Sequence, residues 1–134
     1  EYIDPAKTTI IDAPPGTTCP TIEAVVDSDF ALLVTESTPF GLNDLQMSVE
    51  VMREIDMPFG VIINRSEAGE DELIENYCHN ENIDIMMKIP FDRKIAELYS
   101  EGIAFSKRMP EWKDKFKKLF SVIEGEIDEK NNNN

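Results

Sequence analysis

Two short stretches constrain this chain more than anything else in it. Phe30-Ala31-Leu32-Leu33-Val34-Thr35 and Phe59-Gly60-Val61-Ile62-Ile63 are almost unbroken apolar runs. Runs of that length with no polar alternation are strands covered on both faces, the habit of parallel sheets. Between them, from Asn43 to Asp56, Leu45, Val49, Met52 and Ile55 recur at helical spacing, and Met57-Pro58 ends the pattern. Strand, helix, strand is a crossover connection, so the two strands run parallel.

The rest of the chain repeats this grammar. Thr8-Thr9-Ile10-Ile11 reads as a buried strand that delivers Asp12 at its carboxyl end, where Ala13-Pro14-Pro15-Gly16-Thr17 makes a rigid turn. Gly16 is free there to adopt positive φ. Thr21 to Val26 predicts a short helix with Pro20 in its first turn. Glu36 to Gly41 reads as a loop, and Asp71 to Asn80 as a helix carrying Leu73, Ile74 and Tyr77. Ile83 to Ile89 reads as a strand closed by Pro90. Asp92 caps a helix over Arg93 to Ser100, and Gly102 stops it. A last helix runs from Pro110 to about Gly125, with Trp112, Phe116, Leu119, Phe120 and Ile123 on one face. The expected fold class is therefore α/β, a parallel sheet flanked by helices over residues 1–125, with 126–134 a polar, disordered tail.

Composition narrows the function classes. With 41% hydrophobic and 30% charged residues the chain is globular in character. No apolar run approaches the ~20 residues of a membrane span, so no membrane is expected. The net charge of −14 argues against a nucleic-acid partner, which needs basic patches. Cys19 and Cys78 lie far apart without other thiols or histidines at ligand spacing, and His79 beside Cys78 points elsewhere on a helix. They read as free thiols in a reducing compartment, and the expected localisation is cytoplasmic. The sequence opens on Glu1 rather than Met, as a processed chain or a piece cut from a longer one would.

Chemistry collects at strand ends. Asp12, Asn64-Arg65 and Pro90-Phe91-Asp92 all follow strands, and the carboxyl ends of parallel strands share one rim, where such folds bind ligands. A strand-end Asp beside a turn with an unhindered N–H suits a metal-bound water and a phosphate. The Asn64 amide is both donor and acceptor, as a purine edge requires. Arg65 can stack on a ring or meet a phosphate. Each residue taken singly also fits an ordinary turn, where Asn and Asp bond their own backbone. A single His away from the rim gives no Cys–His pair, and no Gly-x-Ser-x-Gly elbow is present. Nor is there a Gly-x-x-x-x-Gly-Lys-[Ser/Thr] loop to cradle phosphate.

Taken in order, Ile10-Ile11-Asp12-Ala13-Pro14-Pro15-Gly16-Thr17, Leu33 to Leu45, Pro58 to Arg65 and Ile89-Pro90-Phe91-Asp92 resemble the MinD/ParA family of P-loop ATPases. Within it the chain is most similar to the MinD-superfamily ATPases with an inserted ferredoxin domain. The resemblance covers about residues 7 to 105 and implies a P-loop NTPase-like fold that lacks its P-loop strand. It implies that Asp12 holds a water of the Mg²⁺ shell and that Gly16 offers its N–H near the γ-phosphate, the two catalytic positions. Asn64 would bond the adenine edge with Arg65 beside it, and Pro90, Phe91 and Asp92 would wall the base pocket. Glu36 to Gly41 would lie where two nucleotide-bound subunits face each other.

The family's Walker A loop, switch I and ferredoxin insert have no counterpart here, and Cys19 and Cys78 do not match its cluster cysteines. The resemblance thus implies the C-terminal half of an ATPase: Mg-ATP is the cofactor of the full-length parent, and any iron–sulfur cluster belongs to the missing half. The implied partners are ATP and either that half or a second copy joined through exposed strand edges. Two other readings stay open: a nucleotide-free interaction or dimerisation module, and an ATP-dependent amide-forming synthase of the cobyrinate or dethiobiotin type. On the first reading, the strand ending in Asp12 and the strand Phe30–Thr35 both lose a neighbour. The isolated chain is then not expected to be a well-behaved monomer with the parent sheet order; a partner chain, a swapped dimer or an altered sheet order would satisfy the edges. Solution scattering that finds a compact, stable monomer contradicts this.

Overall fold

The computed structural model describes residues 7–132. Its elements are α1 (Cys19–Val25), β1 (Ala31–Glu36), α2 (Pro39–Glu54), β2 (Phe59–Ser66), α3 (Glu72–Glu81), β3 (Ile85–Pro90), α4 (Arg93–Ser100), α5 (Phe105–Arg108) and α6 (Pro110–Asn132). The strands form one sheet in the order β1-β2-β3, and both pairings are parallel. Helices α2 and α3 are the crossovers. The expected α/β class, a parallel sheet with flanking helices, is what the chain adopts.

One face of the sheet is closed by these crossovers. Leu45 and Val49 of α2 and Ile74 and Cys78 of α3 pack with Val61 and Ile63 of β2 into a continuous core, which Leu33 of β1 joins. A second cluster of Ala31, Met52 and Met57 lies at the amino ends of the strands, and Val25 of α1 leans on it. Burying side chains of this kind contributes roughly 1.5–3 kcal/mol each. Side chains alternate along a strand, so Leu32 and Val34 point to the other face, where they remain 37% and 61% exposed.

The predicted first strand is not formed. Residues 8–14 have no regular structure, and Ile10 is 89% exposed. A strand exists only as one member of a ladder. Among the described residues none pairs with this segment, and none pairs with the outer edge of β1. Its β-branched sequence is therefore strand propensity without a strand.

Three boundaries also move. Helix α2 begins at Pro39, inside the predicted loop, because Thr38 accepts a hydrogen bond from the Gly41 N–H at 2.9 Å and Pro39 supplies the preset φ of a first turn. Asn82 closes α3 in the left-handed conformation (φ 53°). At the other end, α6 stays helical through Asn132 where a frayed tail is predicted; residues 133 and 134 lie outside the described residues. Lys130 reaches back to donate to the Asp56 carbonyl at 3.0 Å, which ties this end to the turn before β2. The aromatic stripe of α6 docks through Trp112 and Leu119, while Phe120 stays 37% exposed. Phe105 of α5 meets Trp112 edge-on at 5.4 Å and Phe116 at 5.8 Å.

Gly41 lies too close to a neighbouring backbone to carry a side chain. A Cβ there would lie 2.1 Å from the backbone carbonyl oxygen of Glu36, which cannot yield as a side chain would. Gly41→Ala is expected to cost about 1–3 kcal/mol, read as a lower urea midpoint with unchanged slope.

Candidate functional site

The site lies at the carboxyl ends of the three strands. Asn64 stands opposite Glu36 on β1 and Ile89 on β3, half-buried in the middle of the sheet's rim. After it the ladder slips: the pairing shifts between Asn64 and Ser66, and Arg65 takes up φ 53°. A non-glycine residue in this region is held there by its surroundings, and a bulge of this kind re-aims a side chain. Here it lifts the Arg65 guanidinium over the Phe91 ring, 5.6 Å from its centroid, and to 3.7 Å from the Glu36 carboxylate. The Phe91 N–H donates to the Ser66 carbonyl at 3.0 Å, so the β3–α4 loop is pinned to the end of β2. Asp92 then caps α4, accepting from the Lys94 N–H at 2.7 Å.

Together these residues bound a shallow cleft of about 210 Å³, whose walls include Glu36, Thr38, Arg65 and Phe91. Its chemistry is a half-exposed aromatic face, a planar cation and three carboxylates, those of Glu36, Glu67 and Glu70; Asn64 precedes Arg65 in the strand but does not line the cleft. That set can receive a flat, polar ring.

A buried carboxylate holds this rim together. Asp71, 4% exposed at the entrance to α3, turns away from the helix N–H groups it would ordinarily cap. Ser37, from the β1–α2 loop, donates to one of its oxygens at 3.0 Å. Ser66, at the end of β2, donates to the other at 2.5 Å, and Lys88 of β3 lies 3.1 Å from that same oxygen while also pairing with Glu75. One side chain thus joins the ends of all three strands. Burial, the largest single influence, pushes the Asp71 carboxyl up, but the hydrogen bonds from Ser66, Lys88 and Ser37 and the Lys88 charge outweigh it and hold it below 3.8.

The sequence-predicted residues divide in two. Asn64, Arg65, Pro90, Phe91 and Asp92 are brought to one rim. Asp12 is not placed with them by a strand: it is exposed in the irregular segment, and no group of three or more potential metal ligands occurs among the described residues. Gly16 does adopt positive φ, 91°, as its turn predicts. The structure thus brings five of the predicted residues to one rim, while Asp12 stands in a segment without regular structure. Cys78 is buried, which pushes its thiol up to about 11 and leaves it unreactive, and Cys19 is an exposed free thiol. No described helix is long and apolar enough to cross a membrane.

Sequence reasoning missed Asp71, Ser37, Ser66 and Lys88. The only signal was Lys88 itself, a cation in an otherwise apolar strand that must find a partner.

No protein-family model matches the sequence. Among curated proteins, the chain is 32% identical over 98 residues to the uncharacterized protein MJ0579 of Methanocaldococcus jannaschii, covering 73% of this chain and 33% of that protein. In the same organism it is 28% identical over 118 residues to the uncharacterized protein MJ0578, covering 88% and 40%. It is 26% identical over 105 residues to the uncharacterized ATP-binding protein MJ0685, covering 76% and 41%. The chain thus spans a third to two fifths of the curated relatives it matches.

Among solved structures, the cell division ATPase MinD of Pyrococcus furiosus superposes with a TM-score of 0.67 at 27% identity, over 85% of this chain and 50% of that one. The MinD cell division protein of Aquifex aeolicus gives 0.66 at 18%, over 83% and 50%. The fold is part of a MinD-like P-loop NTPase fold.

The Asp71 hub has a pH signature. Its carboxyl is held below its ordinary value in the folded state, so its stabilisation is present above 3.8 and lost as pH falls through the folded value. Asp71→Asn is expected to cost about 1–3 kcal/mol at neutral pH, with the difference from wild type shrinking as pH falls below 3.8. Urea titrations of both proteins across that range check it.

Proposed function

We propose that this chain is the C-terminal portion of a MinD-like P-loop ATPase and forms the base-binding side of its nucleotide site. The observation that carries the reading is the superposition on Pyrococcus furiosus MinD, which takes in most of this chain but half of that ATPase. The description of MJ0685 as ATP-binding supports the same conclusion. In this reading Asn64 bonds the adenine edge, Arg65 and Phe91 flank the ring, and Pro90 and Asp92 shape the loop around it. Asp12 and Gly16 join the Mg²⁺ and γ-phosphate side once the rest of the parent supplies a phosphate-cradling loop, and the nucleotide is Mg-ATP. Bound there, Mg²⁺ would supply charge neutralisation at the transferring phosphate.

The parent's use of hydrolysis is proposed on the resemblance alone. MinD-superfamily ATPases with a ferredoxin insert would place any iron–sulfur cluster outside this chain. The outer edge of β1, without a partner strand among the described residues and with Leu32 and Val34 exposed beside it, favours completion by the parent's other half or by a second copy.

Calorimetric titration with Mg·ATP, with GTP as the comparison, tests the proposal on this chain and on a chain extended upstream. Binding is expected to favour ATP, and Asn64→Ala to weaken it about tenfold, the value of one hydrogen bond, while leaving GTP unaffected. Hydrolysis is expected from the extended chain only. Equal affinity for both nucleotides, or no binding by either chain, overturns the reading.

A further inference from the structure

A second cavity, larger than the rim cleft, shares no residue with it. It is an open groove of about 520 Å³ along the outer side of the sheet. One wall is residues 84–88, consecutive positions at and entering β3, so the groove follows the strand's edge rather than one of its faces. That edge is unpaired, since β3 ends the sheet among the described residues. The other wall is a single face of α6: Lys115, Lys118, Leu119, Val122 and Glu126, at helical spacing. The two walls match in length. From Lys115 to Glu126 a helix rises about 16 Å at 1.5 Å per residue, which is about five strand residues at 3.3 Å each.

The groove is apolar in its middle and oppositely charged at its ends. Met86, Met87, Leu119 and Val122 line the centre. At one end lie Asp84 and Glu126, close enough for Asp84 to help raise the Glu126 carboxyl, after burial as the main cause. At the other end lie Lys115 and Lys118. Lys115 rests over the Trp112 ring at 4.2 Å, and Lys118 has no ion pair among the described residues.

An unpaired strand edge facing a helix is the geometry in which a protein takes an extended peptide as an added strand. We propose that this groove binds an extended segment of a partner protein. The segment has about five residues, basic where it lies by Asp84 and Glu126, apolar and β-branched in the middle, and acidic where it lies by Lys115 and Lys118. Its backbone pairs with the edge of β3, and its central side chains meet the methionines and Leu119. Two features separate this occupant from others. The acidic end disfavours nucleic acid and anionic lipid, and the spacing between charged ends exceeds the reach of a small metabolite.

Fluorescence anisotropy with three capped, labelled peptides tests it: KVTVE, KVTVK and EVTVE. A chain of net charge −14 attracts KVTVK without specificity, so a preference for KVTVE is diagnostic. KVTVE is expected to bind about tenfold more tightly than either competitor. The double variant Lys115→Glu, Lys118→Glu is expected to move the preference to KVTVK, and Glu126→Lys to move it to EVTVE. The two lysines are exposed, so the double variant keeps the core intact, and circular dichroism verifies this for both variants. N-methylation of the KVTVE backbone is expected to abolish binding. The proposal fails if KVTVK binds as well as KVTVE, if the charge reversals leave the order unchanged, or if no peptide binds. It also fails if a second copy of the chain fills the groove, seen as concentration-dependent dimerisation that KVTVE does not reverse.

Discussion

The parallel ladder on either side of β2 is the interaction on which the molecule depends. It is the one described strand with hydrogen-bonded neighbours on both edges, and Val61, Ile62 and Ile63 are buried on both faces. Parallel strands cannot be joined by tight turns, so each neighbour arrives with a helix attached. Those helices, α2 and α3, then close one side of the core. The residues that follow these three strands are carried to one rim by this arrangement, because parallel strands deliver their carboxyl ends together.

The rim itself is held by polar rather than apolar contacts. Asp71 joins Ser37, Ser66 and Lys88, one group from each strand end, and the bulge at Arg65 lies directly beside Ser66. Such a network is worth having only when every member is satisfied, and no buried side-chain polar atom among the described residues lacks a partner. The exposed pairs contribute less. Arg65 and Glu36, 3.7 Å apart and well solvated, orient one another more than they stabilise.

The strands β1, β2 and β3 were legible because their apolar runs are a local property, and so was the helix between the first two. The Asp92 cap was equally legible, a short-range bond between neighbours. The start of α2 could have been read from Thr38-Pro39, which is the cap and first-turn pattern in plain sequence. Other features were not local. Thr8 to Ile11 carries every mark of a strand, yet a strand is a property of pairs. The length of α6 past Gly125 rests on Lys130 meeting Asp56 from the far side of the chain. Asp71 reads in the sequence only as the first residue of a helix, and nothing near it reveals that it turns toward Ser37. Of the rim, Asn64, Arg65, Pro90, Phe91 and Asp92 were legible by their position after strands; what binds them to one another was not.

The burial of Cys78 beneath α3 gives the molecule a built-in clock. Its thiol sits against Ile74 and the sheet and titrates only near 11, whereas Cys19 stands in solvent. An alkylating reagent therefore marks Cys19 at once and reaches Cys78 only in the moments when α3 lifts from β2. The ratio of the two labelling rates reports the free energy of that local opening under native conditions, without denaturant and without an added probe.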